Sequence, residues 1–337
     1  MSEEIIQTLE DIARLANVSK STVSRALNNS PLLNRETKER IQSIAREHHF
    51  RMNATARNLR LRQSHTVAFV APDYSPELFS GEDLFGQELL RGVGKGLLTL
   101  GYDLLIIHVY PSDTAWAHDY LDSGRVDGFV LMTSNLKTSL IKSLVEMNVP
   151  FIGWGTPVPN LNYCSVSSDN IAGGMLATQH LIRSGRQRIA FLGGFDDSLT
   201  VQHRFKGYEN ALQAAGRSVD PHLVTYSDYS YASGMAAMQR MMEQSPALDA
   251  VFVNSDLMAI GAIQVIQNHG KRVPEDIAVV GYDDLPIAIY NNLPLTTIRQ
   301  NIPLAGKLLA QNLIQYIQTG IVNNVTLPVE LIFRSTA

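Results

Sequence analysis

The sequence predicts a small all-α head with a helix-turn-helix, followed by an α/β body of two parallel-sheet lobes. Three observations carry this. Residues Leu9 to Leu27 (LEDIARLANVSKSTVSRAL) read as two short helices around a polar turn. From His65 onward strand-like runs alternate with helical ones, the pattern of parallel sheets covered by crossover helices. Charge divides at the same place: residues 1–62 carry 11 Lys+Arg against 7 Asp+Glu, and the remainder 17 against 25. A basic head suits a phosphate backbone, and an acidic body does not.

In the head, Ile12, Ala13, Leu15, Ala16 and Val18 fall at helical spacing, and Val23, Ala26 and Leu27 resume it after Ser19, a good N-cap. The second helix, Lys20 to Leu27, turns Lys20, Ser21, Ser24 and Arg25 outward, side chains that donate to base edges or phosphates in a major groove. A solvated helical hairpin accounts for that spacing as well. A third amphipathic helix, Asn34 to Phe50, adds Ile41, Ile44 and Ala45 to the same core and tips the reading toward a three-helix DNA-binding head. Asn53 to Leu61 then offers about two helical turns, too short to stand alone in water, so this hinge is expected to fold only with help.

The body alternates in order. Strands are expected at Thr66–Ala71, Asp103–His108, Gly128–Met132, Phe151–Trp154 and Cys164–Asp169, then at Arg188–Gly193, Leu223–Tyr226, Ala250–Asn254 and Ile277–Tyr282. Between them lie helical stretches such as Gly86–Leu100, Lys137–Met147, Asn170–Ser184, Gly207–Ala215 and Leu257–His269, and a last helix, Ile302–Gly320, returns to the first lobe. The expected domains are a head at 1–63, with a short helical link at about 53–61, and a two-lobed body at 64–337, the part that the resemblance described below makes effector-binding and dimerising. Within the body the first lobe takes about 64–163 plus 295–322, and the second about 164–294 plus 323–337. Two such lobes leave a crevice at the C-terminal ends of their strands, where open parallel sheets bind ligands.

Composition limits the function. The chain has 337 residues, 45% hydrophobic, with no run long enough to span a bilayer and no export-signal pattern at its acidic start, so a cytoplasmic protein without membrane contact is expected. Cys164 is the only cysteine, which leaves neither an intrachain disulfide nor a Cys-based metal cluster. Gly92, Gly94 and Gly96 lie inside a helix, so they form neither a Rossmann fingerprint nor a P-loop. HExxH and GxSxG are lacking, and the adjacent pairs Asp196–Asp197 and Asp283–Asp284 suit ligand hydrogen bonding or capping better than acid/base work. No enzyme activity, cofactor or metal is expected.

The segment TLEDIARLANVSKSTVSRALN, continuing through LLNRETKERIQSIAREHHFRMNATARNLR, resembles the head of lac and galactose repressor family regulators. The body is similar to their effector domains, which share the periplasmic-binding-protein fold, in SSDNIAGGMLATQHLIRSGRQRIAFLGG, RFKGYENAL, VFVNSDLMAIGA, VPEDIAVVGYDD and LPLTTIRQN. The resemblance spans nearly the whole chain. It departs at Asn17, where the family usually has Gly, at Met52, where it has Pro, and at Gly155, where it often has Asp.

The resemblance implies a transcriptional regulator, a repressor, binding double-stranded operator DNA as a homodimer and controlled by a small-molecule effector, most simply a mono- or oligosaccharide. The DNA-facing set is Thr8, Ser19, Lys20, Ser21, Thr22, Ser24, Arg25 and Asn28, together with Ala56, Arg57 and Leu59 of the hinge, Leu59 matching the leucine that wedges between base steps. The effector set is led by Arg204, matching an arginine that bridges polar groups, and Asp283, matching a carboxylate that accepts from hydroxyls. Thr200, Tyr229, Ser255 and Asp256 join them from the second lobe, and Asp73, Tyr74 and Trp154 from the first. Asp256 serves equally well as a helix cap, Tyr229 as packing between loops and Trp154 as core. The chain ends without a heptad-bearing tail, so a dimer is expected rather than a tetramer. A sugar-binding transport protein is the alternative, disfavoured by the basic head.

Overall fold

The computed structural model describes residues 8–50, 63–72, 83–109 and 114–337. The hinge residues Ala56, Arg57 and Leu59, the variant position Met52, and Asp73 and Tyr74 lie outside the described residues. Contacts divide the chain into two compact units, Met1–Ser64 and His65–Ala337.

In the first unit, α1 (Leu9–Ala16), α2 (Lys20–Leu27) and α3 (Arg35–Glu47) each begin at a capping side chain. Thr8 and Asp11 form a reciprocal capping box, with Thr8 Oγ1 accepting from Asp11 N (3.2 Å) and Asp11 Oδ2 from Thr8 N (2.9 Å). Ser19 accepts from Thr22 N and Asn34 from Thr37 N. The turn between α1 and α2 depends on Asn17, which takes the left-handed conformation at φ 51°. Asparagine is among the few non-glycine residues that do so readily, so the departure from glycine is accommodated. Ile12, Ala13, Ala16, Val23, Ala26, Ile41 and Ala45 close the core. Leu15 does not join it and is 41% exposed, because it falls outside the arc of Leu9, Ile12, Ala13 and Ala16.

The second unit holds two six-stranded sheets. In the first the order is β11 (Asn324–Leu327), β5 (Cys164–Ser168), β4 (Phe151–Trp154), β3 (Gly128–Leu131), β1 (Thr66–Pro72) and β2 (Asp103–Val109), all parallel. Alternation along β1 sends Val67 and Phe69 to one face, against α4 (Leu84–Leu100) and α12 (Ile302–Thr319). Ala68 and Val70 go to the other, beside α5 (Ala115–Asp122) and α6 (Thr138–Glu146). The second sheet runs β12 (Val329–Ile332), β10 (Thr296–Gln300), β9 (Ala278–Asp283), β8 (Ala250–Val253), β6 (Ile189–Gly193) and β7 (Val224–Tyr226), with only β12 antiparallel. Its faces are covered by α7 (Asn170–Arg183) with α8 (Leu199–Ala214), and by α9 (Tyr231–Gln244) with α10 (Asp256–Asn268).

The lobe boundaries differ from those expected at three strands. Cys164–Ser168 pairs with Phe151–Trp154 in the first sheet, Thr296–Gln300 pairs with Ala278–Asp283 in the second, and Asn324–Leu327 returns to the first. The chain therefore crosses between lobes near Asp169, near Asn301 and near Pro328. Periodicity marks a strand but does not say which of two similar sheets receives it. The stretch expected as a helix from Gly207 begins a full two turns earlier, at Leu199, which places Thr200 and Arg204 on α8.

Candidate functional site: a crevice between the lobes and an exposed helix on the head

The C-terminal ends of both sheets face one crevice, enclosing about 880 Å³, part of it open to solvent. From the first lobe it is lined by Asp83, Leu84 and Phe85 at the start of α4 and by Met132, Ser134 and Trp154 beyond β3 and β4. From the second lobe come Phe195, Thr200, Arg204, Asp228, Tyr229, Ser230, Ser255, Leu257, Asp283, Leu285 and Gln300. Six expected effector residues meet there: Trp154, Thr200, Arg204, Tyr229, Ser255 and Asp283.

Arg204 is 5% exposed. It is held by local packing, since α7 and α8 approach so closely that a Cβ on Gly174 would lie 2.1 Å from the Arg204 carbonyl oxygen. Its Nε donates to Asn170 Oδ1 (2.9 Å), its Nη1 to the Asn254 carbonyl (2.7 Å), and its guanidinium lies 3.6 Å above the Tyr282 ring. The fork is thus fixed on one side before any ligand arrives.

Asp283 ends β9 at φ 116°, a strained conformation for an aspartate, and is buried. Gln300 Nε2 donates to its Oδ1 (2.6 Å). Burial pushes its carboxyl up to about 7, against the pull of the Arg204 charge and the Gln300 hydrogen bond, while Asp83 pushes the same way as burial. Its neighbour Asp284 serves differently, pairing with Arg299 (2.6 Å) and Arg334.

Aromatic side chains line both walls. Trp154 tilts against Phe85 at 5.7 Å in the first lobe, and Tyr229 meets Phe195 edge-on at 5.7 Å in the second. Tyr229 sits at φ 71° against Gly194, where a Cβ would meet its ring at 2.0 Å, so Gly194 provides the space for that ring. Thr200 Oγ1 accepts from Thr156 N (3.3 Å) and Ser198 Oγ donates to the Ser134 carbonyl (2.8 Å), two hydrogen bonds that join the lobes. Ser255 caps α10 by accepting from Met258 N and also lines the crevice.

Asp256 is a correction. It is fully buried and does not line the crevice: Oδ1 accepts from Thr297 Oγ1 (2.5 Å) and Oδ2 from Leu285 N (2.7 Å), tying α10 to β10 and to the turn after β9. Gly155 has φ 138°, and a Cβ there would lie 2.8 Å from Ser134 N, so this backbone has no room for the family's aspartate.

Sequence reasoning missed Asp83, Phe85, Phe195, Asp228 and Gln300. Asp83 had a readable signal, an acidic residue directly before a helix; it accepts from Gly86 N (2.9 Å) as the N-cap, and burial pushes its carboxyl up to about 6. Asn254, at the end of the expected strand AVFVN, was also missed; it is fully buried, and both polar atoms of its side-chain amide are without hydrogen-bond partners among the described residues.

On the head, Thr8, Ser19, Lys20, Ser21, Arg25 and Asn28 are exposed, and Thr22 and Ser24 are half-buried. Ser19 Oγ lies 2.8 Å from both Ser21 Oγ and Thr22 Oγ1, a cluster of hydroxyls at the start of α2. Lys20 Nζ is 3.1 Å from Glu10 Oε1, an exposed pair that is inexpensive to exchange for a phosphate or a base.

A helix-turn-helix head on a two-lobed α/β body with a ligand crevice defines a class, the ligand-responsive DNA-binding regulators. Within it this chain belongs to the LacI family. Residues 8–53 match the bacterial regulatory proteins of the lacI family, and residues 65–334 match the periplasmic binding proteins and sugar binding domain of the LacI family. The chain is 37% identical to the HTH-type transcriptional regulator CelR of Thermobifida fusca, covering 97% of this chain and 96% of that one. It is 32% identical to the ribose operon repressor of Haemophilus influenzae, covering 96% of each. Among solved structures it resembles a CelR–cellobiose complex (35% identity, TM-score 0.74, 98% and 99% covered). It also resembles the lac repressor dimer bound to operator and the anti-inducer ONPF (28% identity, TM-score 0.84, 98% of each covered). These relatives are transcriptional regulators, not enzymes, and this chain is a DNA-binding transcriptional regulator. No described helix is long and apolar enough to cross a membrane.

Proposed function

We propose that the chain is a homodimeric repressor whose affinity for operator DNA is set by a neutral carbohydrate bound in the crevice, a β-linked glucose disaccharide of the cellobiose kind being the first candidate. The observation that carries this is the pairing of hydrogen-bonding charges with aromatic faces. Arg204 and Asp283 offer a donor fork and an acceptor, while Trp154 with Phe85 and Tyr229 with Phe195 offer apolar surfaces from opposite walls. A sugar presents just that combination, hydroxyls around its edge and C–H groups on its faces. The likeness to the CelR–cellobiose complex supports the choice of disaccharide.

Thr200, Ser255 and the two lobes' other lining groups complete the effector site, with Asp73 and Tyr74 proposed from the segment before α4. Lys20, Ser21 and Arg25 are proposed to read bases, with Thr8, Ser19, Thr22, Ser24 and Asn28 on the backbone. Ala56, Arg57 and Leu59 are proposed to enter the minor groove. The test is a panel of neutral mono- and disaccharides, measured by calorimetry against the full chain and by operator shift with and without each sugar. The reading expects at least one to bind at micromolar to low millimolar concentration and to change operator affinity at the same concentration. A panel without binding would remove the carbohydrate assignment, and binding without any change at operator would remove the regulatory one.

A further inference from the structure

Among the described residues the crevice lining carries three carboxylates, Asp83, Asp228 and Asp283, and a single cation, Arg204. That cation is already engaged by Asn170, the Asn254 carbonyl and the face of Tyr282. The three acids differ in their surroundings. Asp228 is exposed, its Oδ1 accepting from Ser230 N (3.0 Å). Asp283 is held by Gln300 on the second-lobe wall and lies within reach of the Arg204 charge. Of these three, Asp83 belongs to the first lobe. Its Oδ1 accepts from Gly86 N, and among the described residues its Oδ2 has no hydrogen-bond partner and no Lys or Arg lines that wall.

We propose that Asp83 is a specificity-determining residue: it makes the crevice accept neutral sugars and reject their acidic counterparts, such as uronates. This inference rests on the reading of the crevice as a carbohydrate site. A uronate differs from its parent hexose only in exchanging a hydroxymethyl group for a carboxylate, so shape alone discriminates poorly between them. Charge discriminates well, because an anion lying between the walls has Asp83 on one side and Asp283 on the other. Asp83 and Asp283 line the same crevice from different lobes, and the Asp83 charge helps to push the Asp283 carboxyl up. In such a partly enclosed site solvent and salt screen repulsion weakly. Arg204 does not offset this, since it offers at most its unengaged donors and already balances Asp283. Removing Asp83 therefore shifts the balance toward the anion.

The experiment is calorimetry at pH 8, where both acids are ionised, on the full-length parent, Asp83→Asn and Asp83→Ser. Asparagine and serine are both good N-caps, so each variant keeps the start of α4. The ligands are matched pairs: glucose with glucuronate, galactose with galacturonate, and cellobiose with cellobiouronic acid. The readout is the ratio of affinities within a pair. The parent is expected to favour the neutral member about 100-fold or more, and both variants to narrow that ratio about tenfold. A parent that takes the uronate as tightly as the neutral sugar overturns the inference, as do variants that keep the parental ratio; in either case the carbohydrate reading survives. A parent that binds none of the six removes the carbohydrate reading, and this inference with it.

Discussion

At the scale of single residues, the crevice depends on how Arg204 and Asp283 are held. Arg204 is oriented by Asn170 and the Asn254 carbonyl, and the Arg204→Ala variant removes the donors it presents to a ligand. Each charged hydrogen bond lost costs about 1.5–3 kcal/mol, which is roughly one to two orders of magnitude in effector affinity. Arg204→Lys should recover little, because a single ammonium cannot reproduce the fork. Asp283 makes a pH prediction. Burial disfavours the charged form and pushes its folded carboxyl up to about 7 from the ordinary 3.8. A raised value means the folded state holds the proton more tightly than the unfolded one. That contribution to stability is full below about pH 4 and is lost as pH rises through about 7. Thermal melting of the parent should therefore fall relative to Asp283→Asn between about pH 5 and about pH 8. Sugar hydroxyls donate to the ionised form, so effector affinity should rise over the same interval, with a proton released on binding. Parallel melting profiles for the two proteins would contradict the placement of that titration at Asp283. On the head, Lys20→Ala should cost about 1–3 kcal/mol at operator and relax the preference for a base; an unchanged operator library profile would exclude α2 as the reader.

At the scale of elements, much was legible because local chemistry decides it. Ser19 and Asn34 announce the second and third head helices, and both side chains do cap, as Thr8 does for the first. Ser19→Ala should lower head stability by about 1 kcal/mol in a melting experiment, with base preference unaltered once the head is folded. Nine strands of the body showed equally well in their apolar runs, whereas Thr296–Gln300, Asn324–Leu327 and Val329–Ile332 were missed. What was not legible is pairing between distant segments. Cys164–Ser168 looks like a strand of either lobe until the partners it hydrogen-bonds are known, and the lobes of Thr296–Gln300 and Asn324–Leu327 follow only from their pairing. Asp256 was open to two roles for the same reason: its bonds to Thr297 and Leu285 reach across residues far apart in sequence. Asp83, Phe195 and Gln300 reach the crevice only through tertiary placement, whereas Arg204 and Asp283 were found through the resemblance their motifs carry. The hinge supplies a prediction of its own. Leu59→Ala should weaken specific operator binding while sparing the salt-sensitive non-specific mode, and Met52→Pro should tighten specific binding modestly by reducing the freedom lost on ordering. A Leu59→Ala chain that binds and bends operator like the parent would rule out the wedge.

At the scale of the whole molecule, regulation requires that the effector prefer one arrangement of the lobes, since a ligand shifts an equilibrium only by its differential affinity for the two states. The structural basis for such a preference is present in the body. Both walls contribute lining groups, and hydrogen bonds from Ser198 to Ser134 and from Thr156 to Thr200 join the lobes beside them. Ligand groups that reach Thr200 compete with Thr156 for its hydroxyl, so occupancy and lobe contact are linked. The account's central claim is that crevice occupancy sets operator affinity without crevice residues touching DNA. The most direct measurement is operator affinity of the parent and of Arg204→Ala, each titrated with the cognate sugar. The account predicts that both bind operator equally without sugar and that only the parent changes affinity across the concentration range in which sugar binds. An Arg204→Ala protein that loses operator binding in the absence of sugar, or that responds at parental sugar concentrations, would contradict it.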